Sequence, residues 1–140
     1  MAQSIPLTVR IDPASKAELG RVARRMGVTP SETGARLIEE GLRLERFPQI
    51  EFRNSSVGRQ AYLKGTRLPV FFVVRVADKF KRDAKKTAEH FAHPRSLIDT
   101  ALSYALSFPA EIQTAIGDYE ILNDFERLRE TLPGIELIKV

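Results

Sequence analysis

The first 46 residues contain one strand-like segment followed by two helix-like segments, and this order limits how they can fold. Four apolar residues alternate with polar or small ones, as expected for one face of a strand. They are Ile5, Leu7, Val9 and Ile11. A single strand leaves its backbone hydrogen-bonding groups unpaired, and one strand with two helices cannot form an independent fold. We therefore expect residues 4–11 to pair with the same segment of a second chain.

Capping signals predict where the two helices begin and end. Asp12-Pro13 supplies an N-cap and a first-turn proline, and Gly27 is suited to end this helix in a left-handed conformation. Thr29-Pro30-Ser31-Glu32 is a capping box that starts the second helix. That helix should continue to about Arg46, so residues 1–46 are predicted to form one dimerisation module.

The strand, the short turn Gly27-Val28 and the capped second helix resemble the ribbon-helix-helix family of bacterial repressors and antitoxins over about residues 3–46. The resemblance implies that the paired strands enter the DNA major groove and that their outward residues contact bases. An Arg such as Arg10 can bridge guanine O6 and N7, and Thr8 can meet a base edge or a thymine methyl. Both can instead be ordinary solvent-facing residues.

Phosphate contacts are expected from groups near the turn between the two helices. The N-terminus of the second helix has free backbone N–H groups that suit a phosphate, although simple capping explains the same residues. Basic residues late in the first helix can attract phosphate or favour the negative end of that helix. The predicted DNA-binding residues are Pro6, Thr8, Arg10, Arg24, Arg25, Thr29 and Ser31.

Residues 47–60 lack sustained periodicity and are predicted to be a linker, within which Ile50, Phe52 and Val57 can form a short docking strand. Three short helices should follow in a domain spanning residues 61–108. Pro69 opens the first, Asp83 caps the second, and the third follows a proline turn at residue 94. Three short helices with tight turns predict a helix-turn-helix-like bundle.

Residues 58–108 resemble a family of small bacterial antitoxin-like domains. The resemblance rests on Gly65-Thr66-Arg67, Pro69-Val70, Pro94 and the run Asp99-x-Ala101-Leu102-x-Tyr104-Ala105. Lys79-Phe80-Lys81-Arg82 stands where the family usually has a glycine. The resemblance implies a VapB-type antitoxin whose partner is a PIN-domain ribonuclease toxin. The basic residues Lys79, Lys81, Arg82, Lys85 and Lys86 either contact DNA or form a solvated face.

The last segment, residues 109–140, predicts an amphipathic helix stopped by Pro133-Gly134 and followed by a short terminal strand at residues 135–140. Residues 1–117 hold 19 basic and 12 acidic residues, whereas residues 118–140 hold three basic and six acidic ones. An acidic helix with an apolar stripe suits a basic protein partner, although such a helix can also pack on its own core. The predicted toxin-binding residues are Ile116, Tyr119, Leu122, Phe125, Leu128, Leu132, Ile135 and Leu137.

Catalysis and membrane insertion are not expected. The chain has no cysteine, and its two histidines, His90 and His93, offer few metal ligands. No spacing suggests a catalytic triad or a phosphate-cradling loop, and no apolar run is long enough to span a bilayer. We expect a cytoplasmic protein without enzymatic activity, cofactor or metal.

Together these patterns predict a mainly α protein: a dimeric ribbon-helix-helix module, a helix-turn-helix-like three-helix bundle, and a C-terminal amphipathic helix with a short strand. The predicted function is a type II antitoxin that binds operator DNA as a homodimer and neutralises a cognate ribonuclease. A free-standing repressor without a toxin, or an adaptor whose ribbon dimerises without binding DNA, are the alternatives.

Overall fold

The computed structural model describes residues 3–131, which are mainly helical and contain one two-stranded antiparallel sheet. In chain order the elements are α1 Pro13–Met26, α2 Pro30–Arg46, β1 Ile50–Ser55, β2 Gly58–Leu63, α3 Val70–Lys79, α4 Ala84–Phe91, α5 Arg95–Ser107 and α6 Pro109–Thr131. The chain divides into an N-terminal unit, residues 1–43, and a C-terminal unit, residues 44–140. No helix within the described range is long and apolar enough to cross a membrane.

The two helices of the N-terminal unit begin at the predicted caps. The Asp12 carboxylate accepts hydrogen bonds from the Ser15 backbone N–H (2.8 Å) and hydroxyl (3.1 Å). These bonds lower the pKa of Asp12 because they stabilise its charged form. α1 ends at Gly27, whose φ of 68° is left-handed. The Thr29 hydroxyl oxygen accepts from the Glu32 backbone N–H at 3.1 Å, which starts α2.

The N-terminal unit has almost no core of its own. Within residues 3–43, Ala23 is the one apolar side chain that is buried. Residues 3–12 form neither helix nor strand, and the side chains of Ile5 and Leu7 are 86% and 71% exposed. A strand exists only when its backbone is paired. The predicted strand at residues 4–11 is therefore not formed within a single chain, and its pairing with a second chain stays a prediction.

The predicted linker at residues 47–60 is wrong, because most of this segment forms a β-hairpin. β1 pairs antiparallel with β2, with Ile50 opposite Leu63 and Ser55 opposite Gly58. Ser56 and Val57 make the two-residue connection between the strands. The Ser55 hydroxyl donates to the Gly58 carbonyl (2.8 Å) and accepts from the Val57 N–H (3.1 Å). The predicted helical domain at residues 61–108 likewise begins within β2.

The Gly65-Thr66-Arg67 step forms the turn that joins β2 to α3. Gly65 has a φ of 76°, and the Thr66 hydroxyl donates to the Leu63 carbonyl (2.7 Å) while accepting from the Leu68 N–H (3.0 Å). Arg53 donates to the Thr66 carbonyl at 2.8 Å. This turn ties the hairpin to the first helix of the C-terminal unit.

The core of the C-terminal unit lies between the hairpin and α3, α5 and α6. α3 begins after Pro69 as predicted and contributes more buried apolar residues than any other element. Tyr104 of α5 is fully buried, and its hydroxyl donates to a Glu111 carboxylate oxygen at 2.6 Å. The core residues are Phe47, Ile50, Ala61, Leu63, Val70, Phe71, Val73, Val74, Ala88, Ile98, Ala101, Tyr104, Ala105, Ile112 and Ala115.

α4 is a short helix bounded by two tight turns. Asp83 caps it, as predicted, by accepting from the Lys86 N–H at 3.0 Å. Ala92 ends it in a left-handed conformation with φ of 55°. In the turn that precedes it, Lys81 (φ 54°) and Arg82 (φ 60°) are both left-handed. The glycine expected at this turn is thus replaced by two consecutive basic residues in a conformation that favours glycine.

Candidate nucleic-acid interface and partner surface

The predicted base-contacting residues lie on an exposed N-terminal arm. Pro6, Thr8 and Arg10 are all exposed. The alternating apolar residues are exposed as well, down to Val9 at 58% and Ile11 at 51%. The arm therefore presents a polar set and an apolar set of side chains, and neither set is covered by the part of the chain that the structure describes.

Arg24 and Arg25 are exposed in the last turn of α1. Arg21, which the sequence analysis did not select, lines the same shallow surface depression together with Glu18. Arg21 precedes the other two by three and four residues, and this helical spacing predicts that it lies beside them. These three guanidinium groups make one face of α1 basic.

Thr29 and Ser31 lie at the start of α2, close in sequence to this basic face. The Thr29 hydroxyl is engaged by the Glu32 N–H, and its carbonyl accepts from the Thr33 hydroxyl at 3.0 Å. Ser31 is exposed. Thr29 therefore acts as a helix cap in this structure, and a phosphate at this site would meet the remaining first-turn N–H groups.

Two of the predicted toxin-binding residues pack on the core of their own unit, and their role in partner binding stays a prediction. Ile116 and Tyr119 are only partly exposed and contact the core. The Tyr119 ring lies 5.6 Å from the Phe71 ring and 5.9 Å from the Phe72 ring, and the Arg75 guanidinium lies 5.4 Å from its centre. α3 leaves an aromatic surface that the first half of α6 covers.

The second half of α6 has a different environment. Phe125 and Leu128 are 43% and 42% exposed, and Leu122 is partly buried. Ile121, missed by the sequence analysis, is 58% exposed and lies four residues before Phe125 on the same helical face. We call Ile121, Phe125 and Leu128 the distal α6 face. The other predicted residues, Leu132, Ile135 and Leu137, lie outside the described residues, as do the predicted helix stop and terminal strand.

The charge around the distal α6 face is mainly acidic. Asp118, Asp124 and Glu126 are exposed nearby, and Asp124 pairs with Arg127 at 2.6 Å. Glu120 pairs with Arg75 at 3.5 Å. An exposed apolar face bordered by carboxylates is suited to a partner whose own surface is apolar and basic.

The two histidines lie beside aromatic rings and turns. The His90 ring is 5.0 Å from the Phe91 ring and 5.8 Å from the Phe80 ring. The His93 backbone N–H donates to the Ala88 carbonyl at 3.1 Å. Across residues 3–131, no three His, Asp or Glu side chains are grouped so that they could hold a metal ion.

Comparison with known proteins identifies no match: no family model, curated protein or solved structure is similar to this chain.

Proposed function

We propose that the protein is a homodimeric DNA-binding antitoxin of the ribbon-helix-helix type. The observation that carries the proposal is the missing core of the N-terminal unit. Three apolar residues of α2, namely Leu37, Ile38 and Leu42, are 42–65% exposed, in addition to the apolar residues of the N-terminal arm. Apolar burial contributes about 25 cal/mol per Å², so covering both sets at once would favour association.

A second copy of the chain is the partner that fits this unit. Residues 3–11 make no backbone hydrogen bond to another described part of the chain. An antiparallel pair of such arms would satisfy the backbone groups of both. The period-two alternation would place the apolar set of both arms against the α2 helices and the polar set outward.

The outward face of such a ribbon has the composition of a DNA-reading surface. Each chain would contribute Thr8 and Arg10, with Pro6 beside them. A two-stranded ribbon fits the major groove, and the bidentate Arg–guanine contact gives sequence discrimination. Arg21, Arg24 and Arg25 would add phosphate attraction at the side of the ribbon.

The antitoxin part of the proposal rests on the distal α6 face and on the resemblance of residues 58–108. The partner would be a basic ribonuclease of the PIN-domain class, held by apolar contact with this face and by the surrounding carboxylates. The free-standing repressor is the second candidate, and the packing of Tyr119 on its own unit favours it. The two candidates share the DNA-binding dimer and differ in what covers the distal α6 face.

The decisive experiment for DNA reading is Arg10→Ala in the full chain, tested against the DNA upstream of its own gene. We expect binding to weaken at least tenfold, because a bidentate Arg–guanine contact contributes about 1–3 kcal/mol and the dimer has two such residues. Arg67→Ala removes another exposed arginine, from the C-terminal unit, and is the matched control. Unchanged affinity and salt dependence in Arg10→Ala, with the dimer intact by light scattering, would rule out the reading role of the ribbon.

A further inference from the structure

Six basic residues lie where α3 ends, where α4 begins and where α5 begins, and we call them the basic turn surface. They are Lys79, Lys81, Arg82, Lys85, Lys86 and Arg95. All six are exposed. Five of them lie within residues 79–86, and Arg95 adds a sixth charge from the start of α5.

Most of the positive charge on this surface is not neutralised locally. Among residues 3–131, the four lysines form no ion pair. Arg82 pairs with Asp78 at 2.8 Å, and Arg95 lies 3.8 Å from Asp99. The side chains of these two pairs are 40–65% exposed. Solvent-exposed pairs of this kind hold their partners weakly. The surface therefore carries a clear excess of positive charge.

The start of α5 is close enough to α4 to belong to the same electrostatic environment. α4 packs against α5. The pKa of Asp83 is lowered, first by the hydrogen bond from the Lys86 N–H and then by the positive charges of Lys86 and Arg95. Arg95, the first residue of α5, follows the end of α4 after a three-residue turn and is the last in rank of the charges that act on Asp83.

The two basic residues in the turn between α3 and α4 adopt a strained backbone conformation. Two consecutive left-handed residues, Lys81 and Arg82, cost about 1–2 kcal/mol each relative to glycine. Strained backbone of this kind is enriched at functional sites, and Ala92, which ends α4, adopts the same conformation for a purely structural reason. Here the two side chains extend the basic surface across the gap between the helices.

We propose that the basic turn surface is a second DNA-binding surface, which contacts the phosphate backbone of duplex DNA. Between residues 79 and 96 the larger apolar side chains, Phe80 and Phe91, are partly buried and none is exposed. Protein interfaces depend on exposed aromatic and aliphatic anchors, whereas phosphate binding needs only well-placed cations. The charges without apolar anchors therefore favour a nucleic-acid backbone over an acidic protein.

This inference goes beyond the proposed function, because it assigns DNA binding to the C-terminal unit independently of the ribbon. Each chain would then carry two separate DNA-binding surfaces, the N-terminal arm in one unit and the basic turn surface in the other. Sequence discrimination would remain with the ribbon, since phosphate contacts carry no base information.

The test uses the full chain and a random-sequence 30-base-pair duplex, with affinity measured by fluorescence anisotropy at several salt concentrations. The test variant is Lys81→Asn/Lys85→Gln, where asparagine tolerates the left-handed conformation of residue 81. The matched control is Lys64→Gln/Arg67→Gln, which removes the same charge at the other end of α3, about 15 Å away. We expect about a tenfold loss of affinity at moderate salt in the test variant and little change in the control. The slope of log K against log salt should fall by about 0.9 for each phosphate that the variant no longer neutralises.

Several outcomes decide the proposal. The proposal fails if the test variant matches the control in affinity and slope. It also fails if the wild type binds poly-glutamate and the test variant loses that binding while keeping its affinity for DNA, which would assign the surface to an acidic polypeptide. Lys79→Gln/Lys86→Gln avoids the left-handed residues and replaces the first variant if circular dichroism shows that the first does not fold.

Measuring Arg10→Ala, with and without Lys81→Asn/Lys85→Gln, on the DNA upstream of the protein's own gene separates this inference from the proposed function. Only that DNA tests base reading by the ribbon, because phosphate contacts carry no base information. A further loss on adding Lys81→Asn/Lys85→Gln supports an independent second surface. If Arg10→Ala alone has no effect but the basic-turn variant does, the ribbon proposal fails and this inference stands. If only Arg10→Ala has an effect, the reverse conclusion follows.

Discussion

Ala92 ends α4 in a left-handed backbone conformation. Its N–H donates to the Glu89 carbonyl at 3.2 Å, and the following His93 N–H reaches Ala88. Glycine is the usual residue in such left-handed caps because it has no Cβ to clash with the backbone. Alanine adopts the strained conformation here, since α5 must start within a few residues of the end of α4.

Replacing Ala92 by glycine should therefore stabilise the C-terminal unit. We expect Ala92→Gly to raise the free energy of unfolding by about 0.5–1 kcal/mol, because relief of the left-handed strain exceeds the entropy that glycine adds to the unfolded chain. Chemical denaturation followed by circular dichroism measures this. Gln113→Gly, in the exposed interior of α6, should instead lower stability by about 0.5 kcal/mol. Destabilisation by Ala92→Gly would contradict the strain at this cap.

The helix caps could be predicted from the sequence, whereas the role of Thr66 could not. The caps at Asp12, Thr29 and Asp83 depend on bonds to residues three positions away, so the sequence contains both partners. Thr66 differs, because its carbonyl accepts from Arg53, thirteen residues earlier. That contact depends on a hairpin that the sequence analysis did not predict.

At the scale of elements, the helices were predicted well and the hairpin was missed. Helix signals accumulate over many residues, whereas β1 and β2 are six residues each. Their polar residues Asn54 and Ser55, with Ser56 of the turn, resemble a loop when read alone. Only cross-strand pairing, such as Phe52 with Ala61, distinguishes the hairpin from a linker.

α6 divides into a half that supports its own unit and a half that is available for a partner. We expect Phe125→Ser/Leu128→Ser to change the stability of the free protein by less than about 1 kcal/mol, because both side chains are already substantially exposed. The same variant should lose binding to the nuclease encoded beside this gene, measured by co-purification. Tyr119→Ala is the contrasting variant and should cost at least about 2 kcal/mol in stability.

Retained nuclease binding by the Phe125→Ser/Leu128→Ser variant would move the partner surface away from the distal α6 face. If no neighbouring nuclease binds the wild type either, the alternative of a repressor that needs no toxin would be strengthened.

At the scale of the whole molecule, the proposal requires that the N-terminal unit folds fully only as a dimer. Val9→Gln places a polar group on the apolar face of the arm and should raise the dimer dissociation constant about a hundredfold. The reason is that two buried valines contribute about 1.5 kcal/mol or more each. Sedimentation equilibrium measures the constant. Thr8→Gln, one residue away on the polar face, should leave it nearly unchanged. Equal effects of the two substitutions would contradict the two-faced ribbon.

The sequence by itself determined the positions of the helices, their caps and the two-faced pattern of the N-terminal arm, because these depend on residues close together in the chain. The tertiary structure decided three other features. It paired β1 with β2, it packed Tyr119 against Phe71 and Phe72, and it placed the Arg53 side chain against the Thr66 carbonyl. The second of these joins residues far apart in sequence, and all three require the chain to give up the entropy of closing the loop between the partners. Local sequence patterns do not show which of these contacts is favourable enough to compensate for the lost chain entropy.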